Sequence, residues 1–285
     1  MKVLVTGAGG MAGAELVRQA RAKGWEVVAF TRADLDVTDA SAVEGAIGRE
    51  RPEVIFNAAA YTAVDAAENS PEQAMAVNAA GAGNISRAAR INGAAVIHIS
   101  TDYVFDGTAC EPYRPDDRPA PINVYGESKL AGEIAVKDEC PNHVIVRTSW
   151  VYSHEGKNFV KTMLRVADER REIRVVNDQH GCPTSSADLA AALIRVAEFM
   201  MEARVVGTFH FCNANPTTWY EFADAIFEAK GGDRPTLIPI STEEFPTPAE
   251  RPRWSVLDTS SFEKTFGMMP RPWRAALQDT MEKLS

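Results

Sequence analysis

Two features of the chain predict an α/β fold: a doubly wound parallel sheet with a smaller C-terminal lobe. Short apolar runs rich in β-branched residues alternate with longer amphipathic segments through the first half, the rhythm of βαβ units with helices on both faces of a sheet. The first run also ends in Gly7-Ala8-Gly9-Gly10-Met11-Ala12-Gly13, inside which a helical pattern begins.

Strands are expected at 3–5, 27–30, 54–56, 95–99 and 143–146, with helices between them at 11–23, 40–49, 71–91 and 124–137. Gly24, after Arg21 and Lys23, gives the first helix a C-terminal stop. The stretch 106–123 is dense in Pro, Asp and Arg and reads as a surface loop able to overhang a ligand. Beyond Trp150 the rhythm loosens. Helices are expected at 159–169, 186–201 and 219–229, and strands near 173–176, 208–211 and 237–239. A Pro-rich linker at 243–252 precedes a cap, 258–261, for a short last helix. Residues 1–150 are expected to form the dinucleotide-binding domain and 151–285 the substrate lobe, with the chain crossing between them.

The composition is that of an ordinary soluble enzyme, 45% hydrophobic and 24% charged, and 285 residues can bury a full core. A net charge of −9 argues against broad binding to nucleic acid or to an anionic membrane. Cys110, Cys140, Cys182 and Cys212 form no C-x-x-C pair, and the five histidines show no ligand spacing, so neither a disulfide framework nor a metal is expected. Scattered cysteines suit a reducing compartment. The opening apolar run is too short for a secretion signal and no run is long enough to span a membrane, so a cytoplasmic location is expected.

Gly7, Gly10 and Gly13 follow a strand and open a helix. The first permits a tight turn, the second lets backbone approach a pyrophosphate, and the third lets helix and strand pack closely. Thr31 and Arg32 end the second strand where an acid would bind the ribose of NAD; a basic residue there suits the 2′-phosphate of NADP. NADPH is therefore the expected cofactor, with NADH possible because Asp34 and Asp36 follow closely. Ala58 and Ala60 close the third strand with the small residues that a passing cofactor needs.

Tyr125 and Lys129 are spaced i and i+4 on a predicted helix, which places them on one face. An ammonium there is expected to lower the phenol's pKa, normally about 10. Thr101 ends the fourth apolar run, where its hydroxyl and that of Tyr125 can meet one carbonyl oxygen over a nicotinamide.

These residues sit in longer strings: STDYVFDG at 100–107, VYGESKLAGE at 124–133, RTSWVY at 147–152, NDQHGCPT at 177–184, NAAAYTAVDAAE at 57–68 and PTPAERPRWSVLDTSSF at 246–262. With them the chain resembles the extended short-chain dehydrogenase/reductase superfamily and, more narrowly, the dTDP-4-dehydrorhamnose reductase family, over almost its whole length. The resemblance implies hydride delivery from NAD(P)H to C4 of a dTDP-4-keto-6-deoxy sugar. Thr101 would fix the carbonyl, Tyr125 would protonate the oxygen, and Lys129 would hold the nicotinamide ribose. Gly10, Met11, Ala12, Asp36, Val37, Ala60, Tyr61, Thr62 and Ile99 would line the cofactor. Thr62, Val64, Thr101, Tyr103, Val104 and Trp150 would meet the sugar nucleotide. Trp150 and Tyr152 also suit a core position, and Arg251 suits either the diphosphate or a solvated face.

Some members of that family are associated with a magnesium-bridged dimer through glutamates. Glu15 is in place but Asp188 is only near a partner position, so no metal is expected and both monomer and homodimer stay open. Two other readings stay open. A 4,6-dehydratase would carry an Asp-Glu pair after the threonine, whereas Tyr103 follows Asp102 here; a 4-epimerase would return its hydride. A non-catalytic regulator resembling the regulatory subunit of methionine adenosyltransferase would use the pocket for assembly.

Overall fold

The structure is a computed structural model in which residues 1–284 are described. Six parallel strands form its central sheet, in the spatial order Gly207–His210, His143–Thr148, Ala95–Thr101, Val54–Asn57, Lys2–Thr6, Glu26–Phe30. The chain runs outward from the first strand to the second, then returns to place the third on the other side. This makes a switch point at the carboxyl ends of the first and third strands, where open sheets of this kind bind ligands. The predicted fold class is the one observed.

Alternation along the strands fills two apolar layers. Val3 and Val5 face one way, against Leu16 of the helix Met11–Ala22 and Leu189 and Leu193 of Ser186–Glu202. Leu4 faces the other way with Ile55, Val96 and Ile145, against Ile47 of the helix Ala40–Glu50 and Ile85 of Gly81–Asn92. Both faces are dry, which is why these strands read as continuous apolar runs.

The second half of the chain contributes to two cores. The helix Ser186–Glu202 covers the main sheet, and the strand Gly207–His210 becomes its edge, pairing with His143–Thr148. The helix Ser260–Phe266 adds Phe262 and Phe266 to the same layer. The remaining second-half elements build their own core from Tyr152, Val160, Ile173, Phe222, Ile226, Trp273 and Leu277. Its two-stranded sheet pairs Glu172–Val176 with Thr236–Ile240.

The helix predicted at 71–91 is interrupted. Between Pro71–Met75 and Gly81–Asn92 lies a π turn, Ala76–Ala80. That turn carries the buried Asn78, whose Oδ1 accepts the Tyr61 N–H (2.8 Å) and whose Nδ2 donates to the Tyr61 carbonyl (3.1 Å) and the Ser128 hydroxyl (2.8 Å). Widened turns of this sort commonly mark functional sites. Among the described residues no helix is long and apolar enough to cross a membrane.

Candidate active site

A cleft of about 1030 Å³ opens over the carboxyl ends of the central strands. The glycine turn forms one end of it. Gly7 has φ +67°, and a Cβ there would lie 2.5–2.6 Å from the Ala58 and Ala59 backbone, so no side chain is tolerated. Gly10 caps the helix Met11–Ala22 without a side-chain bond, leaving its first N–H groups facing the cleft. Unpaired amides at a helix N-terminus, on a turn that admits only glycine, fit a dinucleotide pyrophosphate.

At the adenosine end, Thr31, Arg32, Asp36 and Val37 line the cleft. Asp34 is occupied by the Thr31 N–H (2.9 Å) and hydroxyl (2.6 Å), and Asp36 by the Thr38 N–H (2.9 Å) and hydroxyl (2.8 Å). Both carboxylates are committed to turn-closing bonds. Arg32 is exposed at the rim and makes no ion pair within 4 Å among the described residues. Arg32 is thus the cation at this end that a 2′-phosphate can meet, with the Asp36 carboxylate also at the lining but bonded to Thr38.

At the other end, Thr101 terminates its strand and Tyr125 opens the helix Val124–Glu139. Three contacts fix that opening. The Asn123 Oδ1 accepts the Gly126 N–H at 2.8 Å, its Nδ2 donates to the Glu250 carbonyl at 2.8 Å, and Glu68 accepts the Val124 N–H at 2.9 Å. Thr101, Tyr125 and Lys129 all line the cleft. The Tyr103 ring stands edge-on to that of Tyr125, centroids 5.7 Å apart.

The electrostatics correct one expectation. Lys129 does not hold the phenol acidic: its Nζ donates to the Ile99 carbonyl at 2.7 Å. Burial pushes the Tyr125 phenol up to about 12, against the Thr101 hydroxyl beside it, which favours the anion. Burial lowers Lys129 to about 8, opposed by the charge of Glu133. The i, i+4 spacing puts both residues on one face, but the rotamer aims the ammonium at the sheet. Tyr125 is thus a neutral proton donor across the physiological range.

Ala58, Ala60, Tyr61, Thr62, Val64, Ile99, Trp150, Met11, Ala12 and Gly13 also line the cleft. Val104 does not; it ends the turn Asp102–Val104 fully buried in a separate apolar cluster with Phe105 and Tyr113. Arg251 lies outside the cleft lining too. Its Nη1 donates to Asp65 Oδ1 and to the Ala249 carbonyl, each at 2.6 Å, and the guanidinium lies beside Tyr103, which does line the cleft. Trp150 is half-buried: it lines the cleft with φ +48° and stacks flat on Trp219, centroids 3.6 Å apart. Gly181 lies so close beneath the indole that a Cβ there would collide with it. Tyr152 belongs to the core, its hydroxyl reaching the Trp273 carbonyl at 3.5 Å.

Sequence reading missed Trp219, Lys157, Asn158, Gln73 and Asp102 among the lining residues. Only Asp102 carried a local signal, its place beside Thr101. Glu15 is held by Arg18 and Gln19, and Asp188 by Arg271 and Asn213, so both carboxylates have partners within the chain.

A dinucleotide cleft ending in a threonine, a tyrosine and a lysine on a doubly wound sheet defines an NAD(P)-dependent oxidoreductase of the extended short-chain dehydrogenase/reductase class. Within it, the chain belongs to the family described as RmlD substrate binding domain, whose model matches residues 1–285. It is 44% identical to a dTDP-4-dehydrorhamnose reductase from Sinorhizobium fredii, covering 96% of this chain and 94% of that protein. Two solved structures are similar throughout. A dTDP-4-dehydrorhamnose reductase from Clostridium acetobutylicum superimposes with TM-score 0.95 at 42% identity, covering 100% and 99% of the two chains. One from Bacillus anthracis, in complex with NADP, gives 0.94 at 39% identity, with 99% of each chain covered.

Proposed function

We propose that this protein reduces the C4 ketone of dTDP-4-dehydro-L-rhamnose with NADPH, giving dTDP-L-rhamnose. The observation that carries this reading is the convergence of Thr101, Tyr125 and Lys129 at the end of a cleft whose other end is a glycine turn. The bound nicotinamide supplies hydride to the ketone carbon. Tyr125, neutral near pH 7, gives its proton to the ketone oxygen as the C=O π bond becomes an O–H and a C–H bond. Thr101 holds that oxygen in place beside the phenol. The Lys129 ammonium, bonded to the Ile99 carbonyl, would hold the cofactor ribose, and solvent returns the proton to Tyr125. The Trp150–Trp219 stack offers the sugar nucleotide a flat apolar wall.

A spectrophotometric assay at 340 nm with several dTDP-4-keto-6-deoxyhexoses tests both substrate and cofactor. NADPH is consumed in preference to NADH, and Arg32→Ala weakens NADPH about tenfold, or about 1.4 kcal/mol, with little effect on NADH. Equal loss with both cofactors would remove Arg32 from phosphate recognition. NADPH left unconsumed while C4 epimers interconvert would make the chain an epimerase instead.

A further inference from the structure

Asp102 follows Thr101 directly, is 2% exposed, and has no part in the reaction as set out above. Its Oδ1 lies 3.0 Å from the Thr101 hydroxyl oxygen, while its Oδ2 has no hydrogen-bond partner. The same Thr101 oxygen accepts the Tyr103 backbone N–H at 3.2 Å. A hydroxyl has one proton and two lone pairs, and these contacts decide how they are used.

An ionised carboxylate only accepts, so it would take the single Thr101 proton. With the Tyr103 N–H on one lone pair, Thr101 would then face the cleft with nothing but the other. A ketone oxygen is itself an acceptor and gains nothing from that. A protonated Asp102 reverses the arrangement. Its O–H donates to Thr101, both lone pairs are filled, and the Thr101 proton turns outward.

We propose that Asp102 is a positioning residue whose neutral, protonated form makes Thr101 a hydrogen-bond donor toward the substrate ketone. Thr101 and Tyr125 then give that oxygen two donors, the arrangement that best stabilises developing negative charge. The surroundings suit the neutral acid. An unpartnered buried oxygen costs less as a carbonyl than as half of an anion. Burial pushes the carboxyl up to about 7, opposed by the Thr101 hydroxyl and by the neighbouring Ser255 hydroxyl, which favours the anion although it is directed to the His180 carbonyl at 3.4 Å and makes no bond to Oδ2 here. The titratable groups that feel its charge are Tyr103 and Tyr125, whose rings meet edge-on, and Cys212, next to Cys182. All three are acids that carry no positive charge in either protonation state, so none of them can hold the anion.

The inference rests on the ketoreductase reading above, and the test separates the two. kcat/KM for the ketone is measured from about pH 5.5 to 9 with saturating NADPH, in the parent, Asp102→Asn and Ser255→Ala, with a thermal melt of each. In the parent it falls about tenfold per pH unit once Asp102 ionises. In Asp102→Asn, whose amide donates to Thr101 at every pH, that limb vanishes and only the later loss of the Lys129 proton remains, near pH about 8. Ser255→Ala removes a hydroxyl that favours the anion, so the limb moves to higher pH. A limb that survives in Asp102→Asn overturns the proposal. If that variant does not fold, a limb that Ser255→Ala leaves unmoved does so instead. A parent that turns over no ketone at any pH sinks the ketoreductase reading itself.

Discussion

Tyr125→Phe lowers kcat for ketone reduction by about 10²–10⁴-fold, the usual weight of a positioned proton donor. The loss is confined to chemistry. The phenol oxygen is the only atom removed, and the ring keeps its edge-on contact with Tyr103, so the fold and the cleft walls persist. NADPH affinity, followed by quenching of tryptophan fluorescence, stays within about threefold of the parent because the glycine turn and Arg32 lie at the far end of the cleft. The result also separates an enzyme from a regulator of similar sequence. In a scaffold the same substitution would leave partner binding and assembly unchanged, and there would be no turnover to lose. Retention of most of the activity in Tyr125→Phe would transfer the proton-donor role to another group.

The second large effect is on stability. Glu133→Gln destabilises the protein by about 3–5 kcal/mol, because it breaks a buried ion pair from one side. Arg147 is 2% exposed and Glu133 fully buried; two parallel bonds of 2.7 Å join them, and Ser100 donates a third to Glu133 at 2.6 Å. The guanidinium also lies over the Phe105 ring, 5.0 Å from its centroid. Without the carboxylate, a cation stays in the core with an amide turned partly against it. Urea unfolding of the parent and the variant measures the loss. The pair also reaches the active site. The Glu133 charge is what opposes the lowering of Lys129 by burial. Its removal drops the Lys129 pKa further below about 8, so in an Asp102→Asn background, where Lys129 alone sets the alkaline limb of kcat/KM, that limb moves to lower pH, since the ammonium is lost as pH rises through that value. An unmoved limb would mean that the ion pair supports the fold alone.

The first five strands and the glycine turn were legible in the sequence because burial on both faces leaves uninterrupted apolar runs, and because only glycine fits against Ala58. Which second-half elements join the main sheet was not. The apolar stripe of the helix Ser186–Glu202 says that it covers a core without saying which one, and Gly207–His210 has no feature that marks it as an edge of the first sheet. Spacing placed Thr101, Tyr125 and Lys129 in one site but could not aim their side chains; the ammonium turns to Ile99, where i, i+4 geometry alone suggested the phenol. Val104 and Tyr103 are neighbours on a tight turn, so a motif assigns both to the substrate while the backbone delivers only Tyr103 to the cleft. Trp219 escaped because its partner in the stack, Trp150, is far away in the chain and on another element. Its own surroundings, Thr218 and Glu221, announce a helix cap and nothing more.

The central claim is that hydride moves from reduced nicotinamide to the ketone carbon of the sugar and stays there. NADPH deuterated at the transferable position, incubated with dTDP-4-dehydro-L-rhamnose and this protein, tests that directly when the product is read by NMR. The account predicts one deuterium at C4 of the deoxyhexose for each NADPH oxidised. A product with no deuterium at C4, formed while the NADPH pool stays constant, would contradict it.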